Sequence, residues 1–150
     1  MKTKEMFQSA LAAICLMAFS LTSMSFTTED APGSRIVEDG GTGPYKAIMK
    51  EEASLKAHTI FVPQDLSAFN QDKPLPVLVW GNGACSNSPF EHYLFLNEIA
   101  SYGYIVVATG YMPEEGERYH GPMSTTEQQI ESIDWVIAQN ADESSPYYNK

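Results

Sequence analysis

One segment, from Pro74 to Ala108, most constrains how this chain can fold. Its apolar run Val77 to Trp80 is cut off by Gly81-Asn82-Gly83, and a helical pattern follows and ends near Gly103. A second apolar run then extends from Tyr104 to Ala108. Two buried strands joined by a helix predict a parallel β–α–β unit, because neighbouring parallel strands need a crossover connection. The turn at the carboxyl end of the first strand is where such sheets carry ligand sites.

Two predicted helices begin with sequences typical of capped N-termini. In the first helix, Ser88 is the expected N-cap, Pro89 the first helical residue and Glu91 the partner in a capping box. The second helix begins with the same pattern at Ser124 and Glu127. Its residues at helical spacing form one stripe, which consists of Thr126, Ile130, Ile133 and Ile137.

Residues 1–25 have the composition of a secretory signal peptide. Two lysines precede the apolar run Ala10 to Leu21, and small residues before Phe26 predict cleavage near Ser25/Phe26. The run is shorter than the ~20 residues of a membrane span, and a short membrane anchor is the alternative. We therefore expect a secreted or periplasmic protein with no stable membrane span.

The charge of the chain excludes one class of partner. Asp and Glu number 19 against 9 Lys and Arg, which gives a formal net charge of −10. Cleavage of the signal would remove more basic than acidic residues. Because an acidic protein repels phosphate backbones, we do not expect nucleic-acid binding.

The rest of the chain is predicted to form one incomplete domain. Residues 26–43 are polar and glycine-rich, which indicates a flexible linker. The globular part covers 44–150 and adds a strand from Leu55 to Pro63 to the two described above. Fully buried strands need neighbours on both sides, so this small inventory predicts the first part of a larger α/β sheet.

Three stretches of the globular part carry a family resemblance, namely GPYKAIMKEEASLKAHTIFVPQDL, LPVLVWGNGACSNS and FLNEIASYGYIVVATG. They resemble the N-terminal half of secreted α/β-hydrolases, in the branch of dienelactone hydrolase, chlorophyllase and the cutinase-like polyester hydrolases. The resemblance implies a partial α/β-hydrolase fold, which is a mostly parallel sheet with flanking helices. It implies no cofactor and no metal.

The same resemblance assigns a role to the turn after the first strand of the β–α–β unit. In the family this turn is often written His-Gly-X, and the backbone amide of X binds the oxyanion. Trp80-Gly81-Asn82 occupies that place here, so the Asn82 N–H is the implied donor, with Gly83 beside it. Such preorganised donors contribute roughly 3–4 kcal/mol each to ester hydrolysis. A tight turn without a ligand is the alternative interpretation.

The loop over 110–123 corresponds to a segment that can line the substrate cleft in the family. Tyr111, Met112 and Tyr119 are therefore candidates for the wall that holds a small-molecule or polymeric ester. His120 lies in the same loop near several glutamates, but the spacing matches no standard metal-binding pattern.

The chain contains no G-x-S-x-G motif, which carries the family's nucleophile. The resemblance therefore implies an N-terminal fragment of a secreted serine carboxylic-ester hydrolase, inactive alone because nucleophile, acid and histidine are missing. Two other interpretations stay open. One is a non-catalytic exported binding or interaction protein with half of the fold, and the other is a truncated gene product.

Cys85 directly follows the predicted oxyanion turn. It is the one cysteine that remains if Cys15 leaves with the signal peptide. An odd cysteine in an exported protein is either a free thiol or pairs elsewhere. The hypothesis from the sequence is that Cys85 pairs with a cysteine beyond residue 150 of a longer protein.

Overall fold

The structure is a computed structural model that describes residues 33–114, 116 and 118–150. The predicted signal peptide lies outside the described residues. The strands are Ser34–Ile36 (β1), Ala47–Glu52 (β2), Leu55–Pro63 (β3), Val77–Trp80 (β4) and Ile105–Thr109 (β5). The helices are Tyr93–Ser101 (α1), between β4 and β5, and Thr126–Ala141 (α2), after β5.

The strands form one mixed sheet in the order β1-β2-β3-β5-β4. Only β4 and β5 are parallel, with Val77 opposite Ile105 and Trp80 opposite Ala108. The other three neighbouring pairs are antiparallel. The predicted fold class, a mostly parallel sheet of a partial α/β-hydrolase fold, is therefore wrong.

A short connection explains why β2 and β3 are antiparallel. Only Ala53 and Ser54 lie between β2 and β3, and so short a connection can join only antiparallel strands. The strand β2 is not apparent from the sequence, because AIMKEE does not show a regular apolar alternation. The predicted strand–helix–strand unit is confirmed, since β4 and β5 are parallel neighbours joined through α1.

The two helices pack against opposite faces of the sheet. Successive side chains of a strand point to opposite faces, and β3 shows this directly. Ile60 and Val62 belong to a core cluster that includes Trp135 of α2, whereas Phe61 belongs to a cluster that includes Leu96 of α1. Every residue of β5 is buried, because β5 has a strand on each side and a helix over each face.

Part of the segment predicted to be a linker belongs to the sheet. β1 pairs with β2, with Ser34 opposite Lys50, and Val37 after it is buried in the α1 cluster. A turn at Glu38–Gly40 follows, closed by a hydrogen bond from the Gly40 N–H to the Val37 carbonyl. The linker prediction is therefore wrong over residues 34–40. A three-residue strand is too short to show a periodic pattern in the sequence.

The helix α1 begins later than the sequence predicts. Ser88 is not its N-cap, because the His92 N–H first donates to the Pro89 carbonyl in a separate turn. Glu91 forms an ion pair with Arg118 at 2.6 Å instead of a capping box. The segment before the helix packs against the residues that follow β5: the Tyr111 N–H donates to the Asn87 carbonyl at 2.9 Å, and a Cβ at Gly110 would lie 2.1 Å from the backbone carbon of Asn87.

The helix α2 begins with a capping box that is shifted by one residue from the predicted pair. Thr125 is the N-cap, and its N–H donates to Gln128 Oε1 at 2.8 Å. Ser124 and Glu127 fit the same sequence pattern. Ser124 stays outside the helix because its N–H donates to the Cys85 carbonyl at 2.8 Å.

The apolar stripe of α2 faces solvent rather than the sheet. Ile130, Ile133 and Ile137 are 55%, 49% and 64% exposed. The residues of α2 that are buried are Ser132 and Trp135. The amphipathic pattern therefore indicates the helix correctly but not the face that packs on the sheet.

Within the described part of the chain, no helix is both long enough and apolar enough to cross a membrane.

Candidate functional site

The turn after β4 has an unusual backbone. We call residues 81–86 the β4 turn. Ala84 and Cys85 have φ values of 54° and 53°, in the left-handed region. The turn is closed by the Ser86 N–H, which donates to the Gly83 carbonyl at 3.1 Å. Because neither left-handed residue is a glycine, each costs roughly 1–2 kcal/mol, which the surrounding contacts must offset.

The Asn82 side chain supplies three of those contacts. Its Nδ2 donates to the Thr109 carbonyl at 2.7 Å and to the Ser86 carbonyl at 3.0 Å. Its Oδ1 accepts a hydrogen bond from Trp80 Nε1 at 3.1 Å. The side chain of this predicted site residue therefore fixes the turn to the end of β5.

Three adjacent backbone donors of the β4 turn have no acceptor in the part of the chain that the structure describes. The N–H groups of Asn82, Gly83 and Ala84 donate to no backbone or side-chain group of the described residues. Gly83 is exposed, and a Cβ added there would meet nothing within 4 Å. The turn thus leaves adjacent amides open at the carboxyl end of the parallel pair β4/β5.

A small cavity of about 190 Å³ separates the β4 turn from the N-terminus of α2. It is lined by Gly81, Asn82, Cys85, Thr109, Ser124, Thr125, Thr126 and Gln129. The partial positive charge of a helix N-terminus favours an anion at such a position. In the same first turn, the Glu127 carboxylate accepts hydrogen bonds from its own backbone N–H and the Thr125 hydroxyl, which lower the pKa of Glu127.

His58 and Gln128 hold the start of α2 in place. The buried His58 ring has Nδ1 2.9 Å from the Lys56 carbonyl oxygen and Nε2 2.7 Å from that of Gln128. The Gln128 side chain donates to the Ala57 carbonyl and to Asn87 Oδ1, both at 3.0 Å. Gln128 is not among the predicted site residues, although the Thr125-x-x-Gln128 pattern is a capping-box signal that indicates it.

A larger cavity of about 500 Å³ brings the predicted wall residues together. Tyr111, Met112 and Tyr119 all line it, and the two tyrosine rings are stacked with centroids 5.3 Å apart. His120 also lines this cavity. Among the described residues, no group of three or more His, Cys, Asp or Glu could hold a metal ion there or elsewhere.

Asn82 and Gly83 do not line this larger cavity, so the predicted site residues fall into two groups. Residues 86–88 connect the groups. The Tyr111 N–H donates to the Asn87 carbonyl at 2.9 Å, and Ser88 lines the larger cavity.

Ser88 lies in a different environment from the one that the sequence predicts. It was predicted to cap α1, but it is buried and its hydroxyl has no hydrogen-bond partner among the described residues. An unpaired buried hydroxyl costs about 1–3 kcal/mol. Cys85 is an exposed free thiol, so the hypothesis that it pairs in a longer protein stays a prediction.

Comparison with known proteins does not identify a family for this chain. No protein-family model matches it, and a search of curated proteins gives no match. The resemblance to secreted hydrolases therefore depends on the quoted stretches of sequence alone.

Proposed function

We propose that this chain supplies the oxyanion-binding part of a serine carboxylic-ester hydrolase site. The observation that carries the proposal is the β4 turn, in which the N–H groups of Asn82 and Gly83 have no acceptor among the described residues. Hydrolysis of an ester passes through a tetrahedral oxyanion, and fixed backbone donors stabilise it without reorganisation. The Asn82 side chain fixes these donors to the end of β5.

The larger cavity supports an aromatic or apolar ester as the substrate. The stacked rings of Tyr111 and Tyr119 offer a flat apolar surface, and Met112 beside them adapts to irregular groups. The segment 86–88 lies between this cavity and the β4 turn. An ester whose carbonyl is at the turn would therefore extend its larger group along that segment toward the tyrosines.

The nucleophile of this proposed reaction comes from outside the 150 residues. The sequence has no G-x-S-x-G motif, and a serine without a histidine base is not activated. We therefore expect the chain alone to hydrolyse p-nitrophenyl esters no faster than buffer. Saturable hydrolysis by the chain would show that it contains a nucleophile of its own.

The oxyanion role is tested by binding of a tetrahedral anion. Phenylphosphonate is titrated into ¹⁵N-labelled protein, and the amide shifts of the β4 turn are followed. We expect saturable shifts at Asn82, Gly83 and Ala84. Gly83→Pro removes one donor and should weaken binding, whereas Gly83→Ala keeps the donor in open space and should bind as the wild type does. Equal binding by both variants would overturn the proposal.

A second candidate is a non-catalytic binding protein. The stacked Tyr111–Tyr119 pair in the larger cavity favours it, because this cavity does not include Asn82 or Gly83. The same titration separates the two candidates. Shifts confined to residues around Tyr111 and Tyr119, with none in the β4 turn, would support the binding protein and exclude the oxyanion role.

A further inference from the structure

The solvent-facing stripe of α2 has the geometry of a helix-binding surface. Ile130, Ile133 and Ile137 are each about half exposed or more, at 55%, 49% and 64%. Their spacing of three and four residues, continued by Thr126, is the spacing by which one helix packs along another. A contiguous apolar surface with polar residues around it is typical of an interaction site.

The two flanks of this stripe differ in charge. Successive residues of a helix are about 100° apart, which places Glu127, Glu131 and Asp134 together on one flank. Gln129 and Asn140 lie on the other flank. The helix α2 contains no lysine or arginine, so the acidic flank has no basic neighbour within its own helix.

This charge distribution opposes antiparallel pairing of α2 with a second copy of the chain. In an antiparallel pair of α2 helices, the acidic flank of one copy would face the acidic flank of the other. The formal net charge of −10 adds a general repulsion between copies. The same charges repel an anionic membrane surface.

We propose that the outer face of α2 binds an amphipathic helix of a partner protein, with an apolar stripe and basic residues along one flank. The three isoleucines supply the apolar contact. The acidic flank fixes the orientation of the partner through charge complementarity, which affects specificity and association rate more than affinity. A partner strand is a poorer match, because its side chains repeat every two residues. This inference does not depend on the proposed ester chemistry, and the two are tested by different ligands.

The experiment uses a designed probe. It is a 21-residue amphipathic peptide with leucines at three- and four-residue spacing, lysines on one flank and glutamines on the other. The probe is titrated into the full chain by calorimetry. Two control peptides accompany it: a scrambled one with the same charge but no stripe, and one in which glutamates replace the lysines. We expect saturable one-to-one binding of the probe and much weaker binding of both controls.

Matched variants locate the binding surface. Ile133→Gln combined with Ile137→Gln should lower the affinity at least about tenfold, since it removes apolar contact. Both side chains are exposed, so circular dichroism should show an unchanged fold. Glu127→Gln with Asp134→Asn should lower the affinity a few fold and reduce its dependence on salt.

Three results of the peptide titrations would overturn the proposal. The first is no saturable binding of the probe, and the second is equal binding of the scrambled or glutamate peptide. The third is unchanged binding by the double isoleucine variant. Sedimentation of the chain without peptide is also decisive: a dimer that the isoleucine variant dissociates would mean that a second copy, rather than a partner helix, covers the stripe.

Discussion

The Asn82 side chain donates to the Thr109 carbonyl at 2.7 Å and so ties the β4 turn to the end of β5. Its other bonds join it to Ser86 and Trp80. We expect Asn82→Ala to lower the free energy of unfolding by about 1–3 kcal/mol, because it leaves these partners unsatisfied. Urea denaturation measures the change. Asn82→Asp should be no better tolerated, since its carboxylate would face two carbonyl oxygens, and a fully stable Asp variant would contradict this geometry.

Two glycines near the candidate site should differ in how much stability they lose on substitution by alanine. At Gly110, φ is +100° and an added Cβ would lie 2.1 Å from the backbone carbon of Asn87. We expect Gly110→Ala to cost about 2–5 kcal/mol, from the unfavourable conformation and the displaced backbone. Gly83→Ala has open space and should change stability by less than about 1 kcal/mol. Thermal denaturation compares the two, and similar losses would show that the turn is packed differently.

The left-handed residues of the β4 turn predict a stabilising substitution. Ala84 has φ 54°, so Ala84→Gly should relieve about 1–2 kcal/mol of strain. The greater entropy of glycine in the unfolded chain offsets about 0.5–1 kcal/mol of that gain. Ala53→Gly, in the turn between β2 and β3 where φ is not positive, is the control and should destabilise. If both substitutions lower the melting temperature, Ala84 is not in the left-handed region.

Substitutions in α2 test which face of the helix packs on the sheet. Trp135 is buried and donates from Nε1 to Ser54 Oγ at 2.9 Å, so Trp135→Ala should cost about 3–5 kcal/mol. Ile133 is 49% exposed, and Ile133→Ala should cost less than about 1 kcal/mol. Chemical denaturation of both variants gives the comparison. A larger loss at Ile133 than at Trp135 would mean that the helix is rotated.

The hydrogen bonds of Glu127 predict a pH dependence. Its own backbone N–H and the Thr125 hydroxyl lower its pKa from the ordinary 4.5. A lowered pKa means that the carboxylate stabilises the folded state above about pH 4.5, and that this contribution is lost as the pH falls through the folded value. Glu127→Gln should therefore be less stable than the wild type at neutral pH and nearly equal to it in acid. Urea denaturation at pH 7 and pH 3 measures this difference, and a constant difference would contradict the assignment.

The sequence predicts well those parts of the fold that depend on local patterns. The strand β3 and the β4–α1–β5 unit follow from apolar runs and a glycine turn, and both are present. The order and direction of the strands depend on contacts between distant residues, so β1 and β2 were missed and the sheet was predicted as mostly parallel. The stripe of α2 shows the same limit. Periodicity indicates a helix, but Trp135 decides which face packs on the sheet.

The candidate site was predictable where it depends on the backbone and less so where it depends on side chains. The β4 turn is marked by its glycines and by the end of an apolar run. Nothing in the sequence indicated that Asn82 would bond to Thr109, since the two residues come together only when β4 and β5 pair. The buried position of Ser88 likewise depends on the close approach of Gly110 to Asn87.

The position of β5 in the sheet has a consequence for how the chain is made. β3 and β4 precede β5 in the sequence, but β5 lies between them. On the ribosome, the hairpin of β2 and β3 can form early because its strands are adjacent in the chain. Because β5 lies between β3 and β4, the strand β4 has no neighbour to pair with until residues 105–109 have left the ribosome. The sheet is therefore completed in a late step that depends on non-local contacts, which are slow to form.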